Sequence, residues 1–270
     1  TLAKGSSYSL PGVRDAEDYT FIGWSTKPMQ RVSPQYEAEE KITVNGNVDL
    51  YAVVFNRTTE TDLTEDQLPQ VDIYKYKQVI FVGDSRTEFM ENVLTGMGES
   101  ATKNVKFVCS AGKGLDWFTT TGWAQLYSIV QHDSNSILSK KTAVIFNFGV
   151  NDLSKSADYA EYYNWIAPQL KSKGCELYFM SVNPVNRLML PNAGRADRSE
   201  AAVRSFNQYM KANLSSAYTY IDMYSYLKST GYSFASDHYG TGTVDDGLHY
   251  TTRTYKRIFA KCMDSLRVPA

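Results

Sequence analysis

Val79-Ile80-Phe81-Val82-Gly83-Asp84-Ser85-Arg86-Thr87 decides the fold of this chain. Four consecutive apolar residues, β-branched or aromatic, read as a strand covered on both faces. Gly83 and Asp84 end the run, and a helical pattern follows. A buried strand passing through a tight turn into a helix opens a βαβ arrangement. Ser85 falls on that turn. Its hydroxyl either points outward beside the unpaired N–H groups of a helix start, or Asp84 or Ser85 merely caps the helix.

Working outward, the same alternation recurs. Residues 105–108, 143–146, 177–180 and 220–221 are short apolar runs. Between them lie helical stripes. Val203, Phe206, Met210 and Leu214 recur at three- and four-residue steps, as do Tyr255, Ile258, Cys262 and Leu266. A third helix is expected over 158–173, kinked or shortened by Pro168. Buried strands alternating with amphipathic helices predict a three-layer α/β/α sandwich with a parallel sheet. Sites in such sheets gather at the carboxyl ends of the strands.

Four loops at that edge carry chemistry-bearing residues. The first holds Ser85. The second, Cys109-Ser110-Ala111-Gly112-Lys113-Gly114, has glycines that permit close backbone approach, or simply form a turn. The third, Asn147-Phe148-Gly149-Val150-Asn151-Asp152, offers Asn151 as a side-chain donor and Asp152 as a cap for the next helix. The fourth, Asp245-Asp246-Gly247-Leu248-His249-Tyr250, places an Asp three residues before a His, so that a carboxylate can orient and charge-stabilise an imidazole. Each alone has a structural explanation. Together they supply a nucleophile, oxyanion donors and an acid–base pair, which is the constellation for acyl transfer.

The composition narrows the class. In 270 residues, 28 Lys and Arg stand against 29 Asp and Glu, so no basic excess points to nucleic acid. Apolar runs of about four residues are far too short for a membrane-spanning helix. The chain begins with Thr and reads as a processed product or a fragment. Three Cys are too few for a disulfide framework and are expected as buried free thiols. The three His, at 132, 238 and 249, have no zinc-type spacing, so no structural metal site is expected. The 20 Tyr hint weakly at sugar contact.

Residues 1–55 differ in character. Residues 19–24, 42–44 and 48–51 read as short strands, and Asn45-Gly46 predicts a hairpin between the latter two. A unit this small has a marginal core and leans on a neighbour or on further copies. Residues 56–77, polar and acidic up to Pro69, read as a linker. The strand–helix alternation, with its four loops, begins at about residue 78 and runs to 270. On this division the first 55 residues are expected to be dispensable for the chemistry of those loops, turnover of small esters included.

Two resemblances follow from these residues. Tyr19-Thr20-Phe21-Ile22-Gly23-Trp24, Tyr36 and Leu50-Tyr51-Ala52-Val53 resemble the Listeria/Bacteroides β-repeat, of the internalin B-repeat type. That implies a small β-grasp-like module in an extracellular or bacterial-surface setting, in contact with cell wall or another protein. Gly83-Asp84-Ser85, Gly114, Gly149-Val150-Asn151-Asp152 and Asp246-Gly247-Leu248-His249, in that order, resemble the four blocks of the SGNH (GDSL-type) hydrolases, whose fold is flavodoxin-like. Two positions depart from the family: Arg86 stands where the lipase-like branch has Leu, and Cys109 where Asn is frequent. An α/β-hydrolase elbow, Gly-x-Ser-x-Gly, is absent because Thr87 holds its last position.

The second resemblance implies roles. Ser85 is the nucleophile, His249 the general base and Asp246 its orienting acid. The oxyanion donors are the Ser85 amide, the Gly114 amide and the Asn151 side chain. The acyl-transfer mechanism that these roles imply requires no cofactor. The rival base, His238 after Asp237, is disfavoured because adjacent side chains diverge in extended chain. Arg86 either grips a polar substrate group or pairs with Asp152 or Asp84. Trp117 either stacks on a sugar or packs in the core, and Asn183 can contact substrate. The expected function is a secreted or surface esterase acting on small acyl groups, O-acetyl above all, on carbohydrate. The alternatives are an adhesin-like glycan-binding protein and an acyltransferase.

Overall fold

A computed structural model describes residues 3–132, 140–190, 198–235 and 246–267. Asp237, His238 and Asp245 lie outside the described residues. In chain order the elements are β1 (Ser6–Ser9), β2 (Tyr19–Ser25), β3 (Lys41–Val44), β4 (Tyr51–Asn56), β5 (Tyr76–Gly83), α1 (Ser85–Met97), β6 (Val105–Cys109), α2 (Leu115–Trp117), α3 (Trp123–His132), β7 (Lys141–Asn147), α4 (Ser156–Lys171), β8 (Cys175–Met180), α5 (Glu200–Asn213), β9 (Tyr218–Ile221), α6 (Met223–Thr230) and α7 (Thr252–Ser265).

The residues group into two compact units that do not follow chain order. One joins Thr1–Thr61 to Asn183–Arg204 and Tyr224–Thr254. The other comprises Asp62–Val182, Ser205–Met223 and Tyr255–Ala270.

The second unit contains the parallel sheet, in the order β6-β5-β7-β8-β9. Val79, Ile80, Phe81 and Val82 are wholly buried, as a strand covered on both faces requires. Paired residues share a face, and successive residues alternate. Phe81, opposite Ile145, stacks on Phe107 and meets Phe259 of α7. Phe146 points the other way and meets Phe118 and Tyr163 of α4. Helices therefore cover both faces, and the three-layer expectation holds. The first strand of the sheet has β6 on one side and β7 on the other. The order reverses there, at the carboxyl ends of β5 and β7, where doubly wound sheets bind their ligands. Val203, Phe206 and Met210 of α5 and Tyr255, Ile258 and Cys262 of α7 are buried as their spacing predicts. Pro168 lies inside α4, which runs on to Lys171. Of the three free thiols, Cys175 and Cys262 are buried but Cys109 is half-buried. Burial, and then the Glu91 carboxylate 3.3 Å away, push the Cys109 thiol up.

The first unit holds two small antiparallel sheets, β1 with β3 and β2 with β4. This corrects the Asn45-Gly46 hairpin. The two strands flanking that dipeptide pair with other strands, and Gly46 lacks the positive φ that a type I′ turn needs. Residue 51 opens β4 rather than closing a strand. Glu60, within the polar stretch, is buried and accepts hydrogen bonds from Thr251, at 3.4 Å, and Thr254.

No helix among the described residues is long and apolar enough to cross a membrane.

Candidate active site

In the sheet unit, β5 ends at Gly83 and Ser85 is the first residue of α1. The cap is Asp84: its carboxylate accepts the Arg86 N–H at 3.0 Å. Ser85 is therefore not needed as the cap. Asp84, Ser85 and Arg86 are all 5% exposed or less. At 2% exposure the Arg86 side chain presents little surface to a substrate.

The neighbouring loops are tied to this turn and to each other. The Ser110 N–H donates to Gly83 O at 3.3 Å, and the Ala111 N–H to Glu88 at 2.6 Å. Asn147 Nδ2 donates to Thr87 Oγ1 at 3.4 Å. Gly114 gives its carbonyl to Phe118 N, while its own N–H meets no acceptor among the described residues. The Asn151 amide donates to Lys113 O at 2.7 Å, beside Gly114.

Asp152 does more than the sequence reading assigned to it. Its side chain makes no helix cap. Instead, one oxygen accepts the Leu115 N–H at 2.9 Å and the other the Tyr159 hydroxyl at 2.7 Å. A Cβ on Gly114 would come within 2.3 Å of this carboxylate, so only glycine lets the loop approach so closely. Burial raises the Asp152 pKa against the lowering effect of those two hydrogen bonds. In sequence Asp152 reads only as a helix cap, a partner for Arg86 and the last residue of the Gly149-Val150-Asn151-Asp152 block.

Trp117 is half-buried, its ring 6.1 Å from that of Phe148, within a cluster that includes Phe118. Packing is thus its visible role. Beyond it, Trp123, Tyr127, Tyr162 and Trp165 form a run of neighbouring rings, with Trp165 58% exposed. Composition hinted at aromatic surface but could not place it.

In the other unit, Asp246 and His249 form a closed turn. Asp246 Oδ2 lies 2.6 Å from His249 Nδ1, and both side chains are buried. Asp246 Oδ1 accepts the N–H groups of Leu248 and His249, each at 2.7 Å. Gly247 has φ +67°, a conformation that lets the four-residue turn close. Residues 233–235 flank the turn in a short antiparallel pairing. Ala235 N–H donates to His249 O at 2.8 Å, and Phe234 stacks on Tyr250. The Tyr250 hydroxyl donates to Pro184 O at 2.5 Å. Asn183, 1% exposed, is buried at the start of this segment.

An ionised carboxylate accepts hydrogen bonds only, so with one at Nδ1 that nitrogen carries the ring hydrogen, and a neutral imidazole so held has its acceptor at Nε2. Such an imidazole can take a proton through Nε2 while the carboxylate stabilises the imidazolium.

Residues 79–262 match the GDSL-like Lipase/Acylhydrolase family, and residues 1–53 match the Listeria-Bacteroides repeat domain. The chain belongs to the GDSL-like lipase/acylhydrolase family and is an ester hydrolase. Among solved structures, it is similar to the acetyl xylan esterase AlAXEase, with 12% identity, 70% of this chain and 99% of that one covered, and a TM-score of 0.46. It is similar also to the C-terminal catalytic domain of Streptococcus pneumoniae peptidoglycan O-acetyltransferase A, with 15% identity, 72% and 94% covered, and a TM-score of 0.43. A member of the lipolytic protein G-D-S-L family from Veillonella parvula is 17% identical, with 71% and 99% covered and a TM-score of 0.41. A search of curated proteins finds no match.

Proposed function

We propose that this chain is a secreted or surface serine esterase that removes small acyl groups, acetyl above all, from carbohydrate. The observation that carries the reading is the buried Asp246–His249 pair, with Nδ1 bonded to the carboxylate. Ser85 Oγ attacks the ester carbonyl carbon as His249 Nε2 takes its proton. The oxyanion that forms is held by the Ser85 N–H, the Gly114 N–H and the Asn151 side chain. Collapse of the tetrahedral intermediate breaks the ester C–O bond, and the leaving alcohol takes the proton from His249. Water then repeats the sequence on the acyl-Ser85 intermediate and releases the acid. None of these steps calls on a cofactor.

The carbohydrate assignment draws on two features. The N-terminal segment matches a repeat of the Listeria-Bacteroides type, which fits an extracellular or surface setting where its contacts are cell wall or another protein. The exposed ring of Trp165, continued by Trp123 and Tyr162, offers the flat apolar surface on which sugar rings stack.

Acetate release from acetylated polysaccharides and from O-acetylated peptidoglycan, parent beside Ser85→Ala, tests the proposal. Release by the parent alone is the expected result and names the polymer class. Turnover of p-nitrophenyl acetate without release from any polymer overturns the carbohydrate assignment and leaves the esterase. Binding of glycans with no turnover of either overturns the catalytic reading in favour of a binding protein.

A further inference from the structure

The turn that carries His249 is held by the N-terminal repeat. Gly247 lies between Asp246 and His249, and its carbonyl accepts the Asn186 N–H at 2.8 Å. The contact is close: a Cβ on Gly247 would fall 2.3 Å from Asn186 O, so only glycine lets the turn approach residue 186 this closely. Asn186 is itself fixed through its side chain. Its Nδ2 donates to Asp15 Oδ1 at 2.8 Å and to Val13 O at 3.0 Å, and its Oδ1 accepts the Leu188 N–H at 3.1 Å. Both partners of Nδ2 belong to the repeat.

Asp15 is anchored in turn. Its side chain is wholly buried. Oδ1 also accepts the Phe21 N–H at 3.0 Å, from β2, and Oδ2 pairs with the Arg57 guanidinium at 2.8 Å. Arg57 Nε donates to Thr20 Oγ1 at 2.9 Å. One continuous chain of hydrogen bonds therefore runs from the β2–β4 sheet through Arg57, Asp15 and Asn186 to the peptide between Asp246 and His249. A buried carboxylate with a cationic partner and two further donors has one orientation open to it, and it transmits that orientation to Asn186.

We propose that Asp15 of the repeat is a positioning residue for His249, so that the repeat is a working part of the esterase rather than an appended module. The inference rests on the reading of His249 as the general base. Asp15 touches neither substrate nor the reacting atoms. It acts by fixing Asn186, which fixes the Gly247 carbonyl and with it the placement of the imidazole. This reverses the expectation that the first 55 residues are dispensable for small esters.

The test uses the full chain and p-nitrophenyl acetate, with kcat and KM measured for Asp15→Ala, Asp15→Asn and Asn186→Ala. Circular dichroism and thermal melts establish that each variant is folded at the assay temperature. Asp15→Ala and Asn186→Ala are expected to lower kcat about tenfold or more while KM stays within about twofold, since small displacements of a catalytic group cost rate more than binding. Asp15→Asn keeps an acceptor facing Asn186 and is expected to recover most of the loss. The double variant is expected to be no slower than the slower single, because both act through one chain. A lowered melting temperature with parental kcat in the folded variants overturns the proposal, since the repeat then only stabilises. If Asp15→Ala does not fold, Asn186→Ala decides the matter, and parental kcat in that folded variant overturns the proposal. Ser85→Ala and His249→Ala are measured alongside. Their silence with a fully active Asp15→Ala overturns this inference alone, whereas activity surviving His249→Ala overturns the catalytic reading beneath it.

Discussion

Asp246 Oδ2 and His249 Nδ1 stand 2.6 Å apart in a turn whose backbone amides are already bonded to Asp246 Oδ1. The carboxylate thus has both oxygens committed, one to the turn and one to the imidazole. Asp246→Asn separates these two duties. If the amide oxygen keeps the Leu248 and His249 N–H groups, the amide nitrogen faces Nδ1 and forces the opposite tautomer. We expect a folded enzyme whose kcat on p-nitrophenyl acetate falls by about a thousandfold to ten-thousandfold with little change in KM. A fall of less than tenfold would remove Asp246 from the proposed machinery.

The acid limb of the rate profile reports on His249. Protonated at Nε2, the imidazole cannot accept the Ser85 proton. Activity should therefore fall as pH drops and the imidazole takes up a proton. Steady-state rates of p-nitrophenyl acetate turnover across pH 5 to 8 check this, and a flat profile argues against a histidine base.

Asp152 joins the Gly114 loop to α4 through the Leu115 amide and the Tyr159 hydroxyl. Asp152→Ala leaves both donors without their acceptor and frees the loop that carries the proposed oxyanion donor. The expected outcome is a fall in kcat of about tenfold or more with KM nearly unchanged. Parental kcat would show that the Gly114 loop holds its place without Asp152.

Glu176 gives a prediction about stability rather than activity. Its carboxylate lies 2.5 Å from Lys141 Nζ and 3.7 Å from Lys75 Nζ, and it accepts from Tyr76. Partial burial raises its pKa, but Lys141, Tyr76 and Lys75 outweigh that and bring it from 4.5 to about 2. A folded-state pKa below the unfolded value means that the ionised form stabilises the fold above about pH 4.5. That contribution is lost as pH falls toward about 2. Glu176→Gln should lower stability by about 1 kcal/mol or less at pH 7, because the pair is partly solvated, with the difference gone near pH 2. Urea unfolding of both proteins at the two pH values measures it. An equal difference at both would assign the effect to packing.

Local patterns in the chain carried much of this molecule. The apolar runs at 79–82, 143–146 and 177–180 are buried strands of the sheet, as contiguous apolar residues covered on both faces must be, and that pattern is readable along the chain. The helical stripes of α5 and α7 follow from periodicity in the same way. The proposed site residues Ser85, Gly114, Asn151, Asp246 and His249 stand out in the chain because each lies in a short block at a strand end or a tight turn. The closing of Asp246 onto His249 needs only four residues and a glycine between them.

What spans longer distances was decided by the tertiary structure. Asn45-Gly46 is a good hairpin turn by local preference, yet β3 pairs with β1 and β4 with β2, because backbone ladders between distant segments outweighed the turn. Asp152 reads as a helix cap until the loop at 115 and the Tyr159 hydroxyl are seen to converge on it. Asp15 and Asn186 are 171 positions apart, and no spacing rule reaches across that interval. Strands and helices follow from burial and periodicity along the chain, and the blocks proposed to bear the chemistry stand out because they sit in turns a few residues long. Only the tertiary structure decided that the repeat reaches the turn carrying His249, since a hydrogen bond between distant residues exists only once the chain has folded around it.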